Sequence, residues 1–87
     1  MAVPEVLNPA VNKQLWLRKL AFQGEIGATL AKRRVDKGIS LDDLAEISGV
    51  SSVTIRELEK GTRNATLEVL FLLTNALDLE VKIEPIK

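Results

Sequence analysis

Between Ser40 and Gly61 the chain reads SLDDLAEISGVSSVTIRELEKG, and few local structures accept that string. The Ser40 hydroxyl is placed to accept backbone N–H groups at a helix start. Asp43 is positioned to reach back in a capping box, and Asp42 adds favourable negative charge in the first turn. A helix therefore begins near Leu41, with Leu44 and Ala45 on its buried side, the alanine allowing a second helix to cross closely. Gly49 follows the last turn, where a left-handed backbone is cheapest for glycine. Val50 plugs the bend from beneath, and Ser51 or Ser52 caps a second helix whose inward positions are Ile55 and Leu58. Gly61 ends it. Two short helices joined at Ser48-Gly49-Val50, with hydroxyls crowding the start of the second, form the layout that offers one helix end to a DNA major groove. A plain helical hairpin shares the same punctuation and is the alternative reading.

The flanking segments extend this picture. Residues 1–8 contain Pro4 and no periodicity and read as a tail. Asn8-Pro9 reads as a helix start, asparagine capping and proline in the first helical position. Val11, Leu15, Leu17, Leu20 and Phe22, with Trp16 beside them, then extend a helix to about Phe22, interrupted at Gly24. A second run from about Glu25 to Lys37 places Ile26, Leu30 and Val35 inward, turns Lys32, Arg33, Arg34 and Lys37 largely outward, and stops at Gly38. Beyond the polar stretch Thr62-Arg63-Asn64-Ala65, in or after which a short helix fits, Thr66 caps a further helix to about Leu77. That helix is apolar nearly all round, so another chain is expected over its outer side. The tail alternates, with Leu79, Val81 and Ile83 against Glu80, Lys82 and Glu84, as a half-buried strand does.

At 87 residues there is room for one core. With no cysteine and no histidine, disulfides, thiolate chemistry, the usual zinc ligands and the commonest general base are excluded. No nucleophile–base pair or phosphate-binding loop is evident, which argues against an enzyme and calls for no cofactor or metal. No membrane-spanning run and no signal-peptide layout is present, so a cytoplasmic protein is expected. The formal net charge is zero, which taken alone disfavours a phosphate binder. The charge is segregated, however: residues 1–37 carry seven basic and three acidic side chains, residues 38–87 five and nine, or +4 and −4.

Gly38, Ser40, Leu44-Ala45-Glu46, Gly49-Val50-Ser51, Thr54-Ile55, Leu58-Glu59, Gly61 and Leu67-Glu68 resemble the Cro/repressor-type (XRE) helix-turn-helix family, over Glu25 to about Leu79. The resemblance implies an all-α, lambda-repressor-like domain of about five helices. To it this chain adds an N-terminal accessory helix and a C-terminal strand that pairs across a dimer. The division is then a tail and accessory helix over residues 1–24, the DNA-binding domain over 25–78 and a dimerisation strand over 79–87. The end of the chain, Ala76-Leu77-Asp78-Leu79-Glu80-Val81-Lys82-Ile83, resembles that of HipB-type antitoxins, in which a short strand pairs with its dimer mate.

The resemblance also assigns residues. Ser52, Val53, Arg56 and Glu57 match the base-facing positions: arginine suits guanine, valine a thymine methyl, and glutamate cytosine N4. Phosphates fall to Ser51, Thr54, Lys60, Thr62, Arg63 and Asn64, with Lys32 and Arg33 clamping the flank. An ion pair between Arg34 and Glu59 ties the preceding helix to the reading helix. Leu41 stands where many members carry a glutamine that braces that helix and a phosphate. Phe71, Leu72, Leu79, Val81 and Ile83 form the expected dimer surface. The reading that follows is a sequence-specific repressor binding double-stranded DNA as a homodimer on an inverted repeat, and the antitoxin and autorepressor of a toxin–antitoxin operon with a cognate toxin as partner. Alternatives are a stand-alone phage or host regulator, or a protein-interaction module with Trp16 as an anchor.

Overall fold

The computed structural model describes Asn8 and residues 11–86, and its described residues form four helices and no strand. Helix α1 spans Lys13–Asp36, a single run of 24 residues about 36 Å long. Its cap is Asn12, whose side chain accepts from the Leu15 N–H at 3.0 Å. The expected start at Asn8-Pro9 is thus displaced. The Asn8 carbonyl accepts from Val11 and Asn12 in a turn ahead of the helix, and Pro9 lies outside the described residues.

The expected break at Gly24 is also corrected, because α1 runs through it without interruption. An interior glycine lowers helix propensity by about 1 kcal/mol but does not break the hydrogen-bond ladder. What the glycines provide is close approach. A Cβ on Gly27 would fall onto the Leu58 carbonyl oxygen, and one on Gly61 would lie 3.0 Å from the Gly24 Cα. The accessory helix and the first family helix are therefore one element, with the end of the reading helix seated against its middle.

Helices α2 (Leu41–Ser48) and α3 (Ser52–Glu59) match the two expected motif helices. Ser40 caps α2 by accepting from the Asp43 N–H at 3.0 Å, although the reciprocal bond to the Asp43 carboxylate does not form. Gly49 at φ 79° closes α2 in the left-handed region, and the buried Ser48 hydroxyl accepts from the Val50 N–H at 3.1 Å to hold the bend. Thr66 caps α4 (Leu67–Ala76). The stretch Thr62–Ala65 contains no helix, so the count is four where about five were expected.

Leu30, Leu44, Val50, Ile55, Leu58, Leu73 and Leu77 form the buried core, rimmed by Ile26, Ile39, Leu41, Ala45 and Leu79. Val35, expected inward, is 62% exposed because the inward sector of α1 at that level is taken by Arg34. Leu41 packs on the core rim, which accounts for an aliphatic residue there. On the outside of α4, Leu67, Leu70, Phe71, Leu79 and Val81 line an open groove of about 450 Å³. Leu79, Glu80 and Val81 border it, and residues 79–86 form no strand, since the described residues offer no second strand to complete a ladder. No described helix is long and apolar enough to cross a membrane.

Gly27→Ala is expected to lower stability by about 2 kcal/mol through backbone displacement at the α1–α3 crossing. Gly24→Ala, with nothing within 4 Å of its Cβ, should be neutral or slightly stabilising; thermal unfolding of both variants checks the contrast.

Candidate nucleic-acid interface

The exposed end of α3 is built from hydroxyls. Ser51 caps the helix by accepting from the Thr54 N–H at 3.2 Å, and its own O–H donates to Thr54 Oγ1 at 2.8 Å. Both bonds leave the Thr54 hydroxyl proton as a donor directed by an ordered partner, next to unsatisfied N–H groups at a helix N-terminus. This is a natural place for a phosphate oxygen. Ser52, Val53 and Arg56 follow at i, i+1 and i+4 and share one side of the helix. Val53 is 53% exposed, and Arg56 is exposed with no ion pair among the described residues.

The opposite end of α3 is locked. Arg34 on α1 donates from Nε to Glu59 Oε2 at 2.7 Å and from Nη2 to Glu59 Oε1 at 3.0 Å, a two-point pair, while its Nη1 donates to the Ile39 carbonyl at 2.9 Å. The side chains are only 15% and 11% exposed. Hydrogen bonding to Glu59 raises the Arg34 pKa above its ordinary value, burial opposes this, and Coulomb attraction to Glu59 adds to it. The guanidinium thus joins α1, the loop before α2 and the end of α3 at a single point.

The remaining assigned residues divide into paired and unpaired groups. Glu57, assigned to base reading, accepts instead from Arg63 Nη1 at 2.8 Å, and its backbone carbonyl accepts from both the Thr62 N–H and Oγ1. The Glu57 carboxylate therefore sits on the loop rather than projecting alone from the reading side. Arg33, assigned to a phosphate, donates from Nε to the Leu77 carbonyl at 2.8 Å and caps the end of α4. Lys32 pairs with Asp36 at 2.7 Å. Lys60 and Asn64 are exposed, with no side-chain bond among the described residues.

These pairings change what net charge means locally. Both carboxylates of α3 are matched, Glu59 by Arg34 and Glu57 by Arg63, which leaves Arg56 in the last turn of α3 and Lys60 at its C-cap as cations with no ion pair among the described residues. A chain of zero net charge thus carries an excess of positive charge around α3, while Asp42, Asp43 and Glu46 on α2 are exposed with no ion pair among the described residues. One element went unread in the sequence: Lys37 pairs with Asp78 at 2.6 Å, holding a residue of positive φ (55°) against the end of α1. The lysine's hydrogen bond and charge hold the Asp78 carboxyl below the usual carboxylate range. No sequence signal separates this pair from any other exposed lysine and aspartate.

Residues 30–82 match the family described as HTH_3, helix-turn-helix. The chain belongs to that family. It is a DNA-binding transcriptional regulator of the XRE type, not an enzyme. Among solved structures, the restriction-modification controller protein C.AhdI from Aeromonas hydrophila is similar at 35% identity and TM-score 0.66, with 69% of this chain and 91% of that chain covered. No curated protein matches the sequence. The family match accounts for the α2–α3 hairpin and α4, while the first half of α1 lies outside the matched residues.

Removing one member of the Arg34–Glu59 pair is expected to cost about 3 kcal/mol, because the survivor is left unpaired in a largely buried site. Replacing both with leucine should cost much less. Urea unfolding of Glu59→Leu, Arg34→Leu and the double variant measures the coupling.

Proposed function

We propose that this regulator is a sequence-specific repressor that binds an inverted repeat as a homodimer. The observation that carries the reading is Arg56, an unpaired, exposed guanidinium next to Ser52 and Val53 on a helix whose far end is anchored by Arg34 and Glu59. An anchored helix delivers a bidentate donor to guanine O6 and N7 in a defined register, and Val53 meets a thymine methyl alongside it. Ser51, Thr54, Lys60, Thr62 and Asn64 supply phosphate contacts, and Arg63 joins them by exchanging the Glu57 carboxylate for a phosphate. Glu57 is then a positioning residue for Arg63 more than a reader of cytosine. Lys32 clamps the flank, and Arg33 supports it through the end of α4.

Dimerisation is supported by the outer side of α4, where Leu67 and Phe71 are 86% and 66% exposed, and by the tail, where Ile83 is 95% exposed. Packing Phe71 and Leu72 on their two-fold mates and pairing Leu79, Val81 and Ile83 across the axis would cover both surfaces in one isologous contact. Two reading helices would then lie about one helical turn, roughly 34 Å, apart. Repression follows from covering promoter DNA. As to the genes regulated, the similarity to a restriction-modification controller protein favours control of restriction-modification genes. The antitoxin role, with a toxin as partner, has only the alternating tail to support it.

Arg56→Ala is expected to lower affinity for the operator by about 10- to 100-fold while scrambled duplex binding changes little. Lys60→Ala should weaken both duplexes alike, by a few-fold, and reduce the salt dependence. Titrations at two salt concentrations separate the two. Equal losses on operator and scrambled DNA for Arg56→Ala would refute the readout.

A further inference from the structure

Two surfaces are left over by the DNA interface, and they are complementary. The first is the leading half of α1. Residues 13–24 carry Lys13, Arg18 and Lys19 and no carboxylate, a net charge of +3, and they display Trp16, Leu17, Leu20 and Phe22 at 44%, 51%, 37% and 61% exposure. Trp16, Leu17 and Leu20 share one side of the helix, at i, i+1 and i+4, with Lys13 one turn ahead on that same side and Lys19 at its edge. The second is α4 with the tail. Residues 67–86 carry Glu68, Asp78, Glu80 and Glu84 against Lys82, a net charge of −3, around the apolar groove lined by Phe71 and Val81.

Because α1 is one unbroken helix, its leading half is held rigidly away from Leu30 and Arg33, which meet α4 and its C-cap in the same subunit. Fifteen residues separate Arg18 from Arg33, about 22 Å of helix, so a contact between the two surfaces is most readily made with a second chain. Size argues the same way. A helix of 10 residues is about 15 Å long, and a stable interface needs about 800 Å² per partner, more than α4 and a narrow ribbon readily supply.

We propose that residues 13–24 of one subunit dock along the α4 and tail surface of a second copy of the chain. Trp16 and Leu20 lie against Leu67 and Leu70 at the end of the groove that the Phe71 and Val81 mates leave uncovered, and Lys13 and Lys19 lie toward Glu80 and Glu84. In a two-fold dimer the contact occurs twice, so the leading half of α1 acts as a reciprocal arm that completes the α4 interface. The proposal rests on the dimer reading above and adds to it the element that lies outside the family match.

The test measures the dimer dissociation constant of the full chain by sedimentation over a dilution series. The Lys13→Glu/Lys19→Glu variant should raise that constant about tenfold at low salt, two pairs being lost in each of two contacts, with helicity unchanged by circular dichroism. Adding Glu80→Lys/Glu84→Lys should restore it to within about threefold. Phe71→Glu serves as the control for the α4 contact itself. A dimer broken by Phe71→Glu but indifferent to the Lys13/Lys19 reversal overturns the arm and leaves the dimer standing. A wild-type chain that is monomeric throughout overturns both. Loss of association in the double reversal with no recovery in the quadruple variant overturns the pairing of these two surfaces.

Discussion

The backbone of α1 meets the end of α3 at a distance that only glycine allows, and the Arg34–Glu59 pair closes beside that contact. Apolar packing sets how close two helices come but leaves an eight-residue helix free to rotate by tens of degrees on a small core. A two-point ion pair restricts that rotation because both nitrogens must find both oxygens. The carbonyl of Ile39 takes a third bond from the same guanidinium, so the loop into α2 is registered against the same point. Everything the reading end of α3 does depends on this fixed far end.

Electrostatics then decides what kind of surface α3 presents. Its sequence contains as many carboxylates as a phosphate binder would be expected to avoid, yet each is matched by an arginine from outside the helix. The two pairs differ in kind. Arg34–Glu59 is largely buried and specifies geometry, whereas Arg63–Glu57 is half exposed, screened by salt and open to exchange. A buried pair of this kind holds its geometry, whereas an exposed one exchanges readily with solvent and salt.

The small core explains the apolar surface. With seven buried hydrophobic residues, the subunit has no interior left for Leu67, Phe71, Val81 or the leading half of α1, and these residues stay outside. Single exposed leucines are ordinary, but a groove with an extended apolar tail beside it is a contiguous apolar surface. The opposite net charges of residues 13–24 and 67–86 give the segregation along the sequence a spatial meaning.

The helix-turn-helix was legible residue by residue: Ser40, Gly49, Ser51 and Thr66 act through bonds to neighbours two to four positions away, so local chemistry determined both hairpin helices and the start of α4. The dual role of Gly24 and Gly27 was not, because a glycine that breaks a helix and one that admits a neighbour look the same until the neighbour is in place. Arg33, Glu57 and Lys37 were likewise ambiguous, since an exposed charge chooses its partner by proximity in space, and the partners Leu77, Arg63 and Asp78 are brought near by helix packing. By itself, then, the sequence determined where helices begin and end around the hairpin and which side of each is apolar, through hydrogen bonds and periodicity that span only a few residues. Tertiary structure alone decided that α1 is continuous, which charges are spent on structure and which stay unpaired among the described residues, because those outcomes depend on distances between segments far apart along the chain.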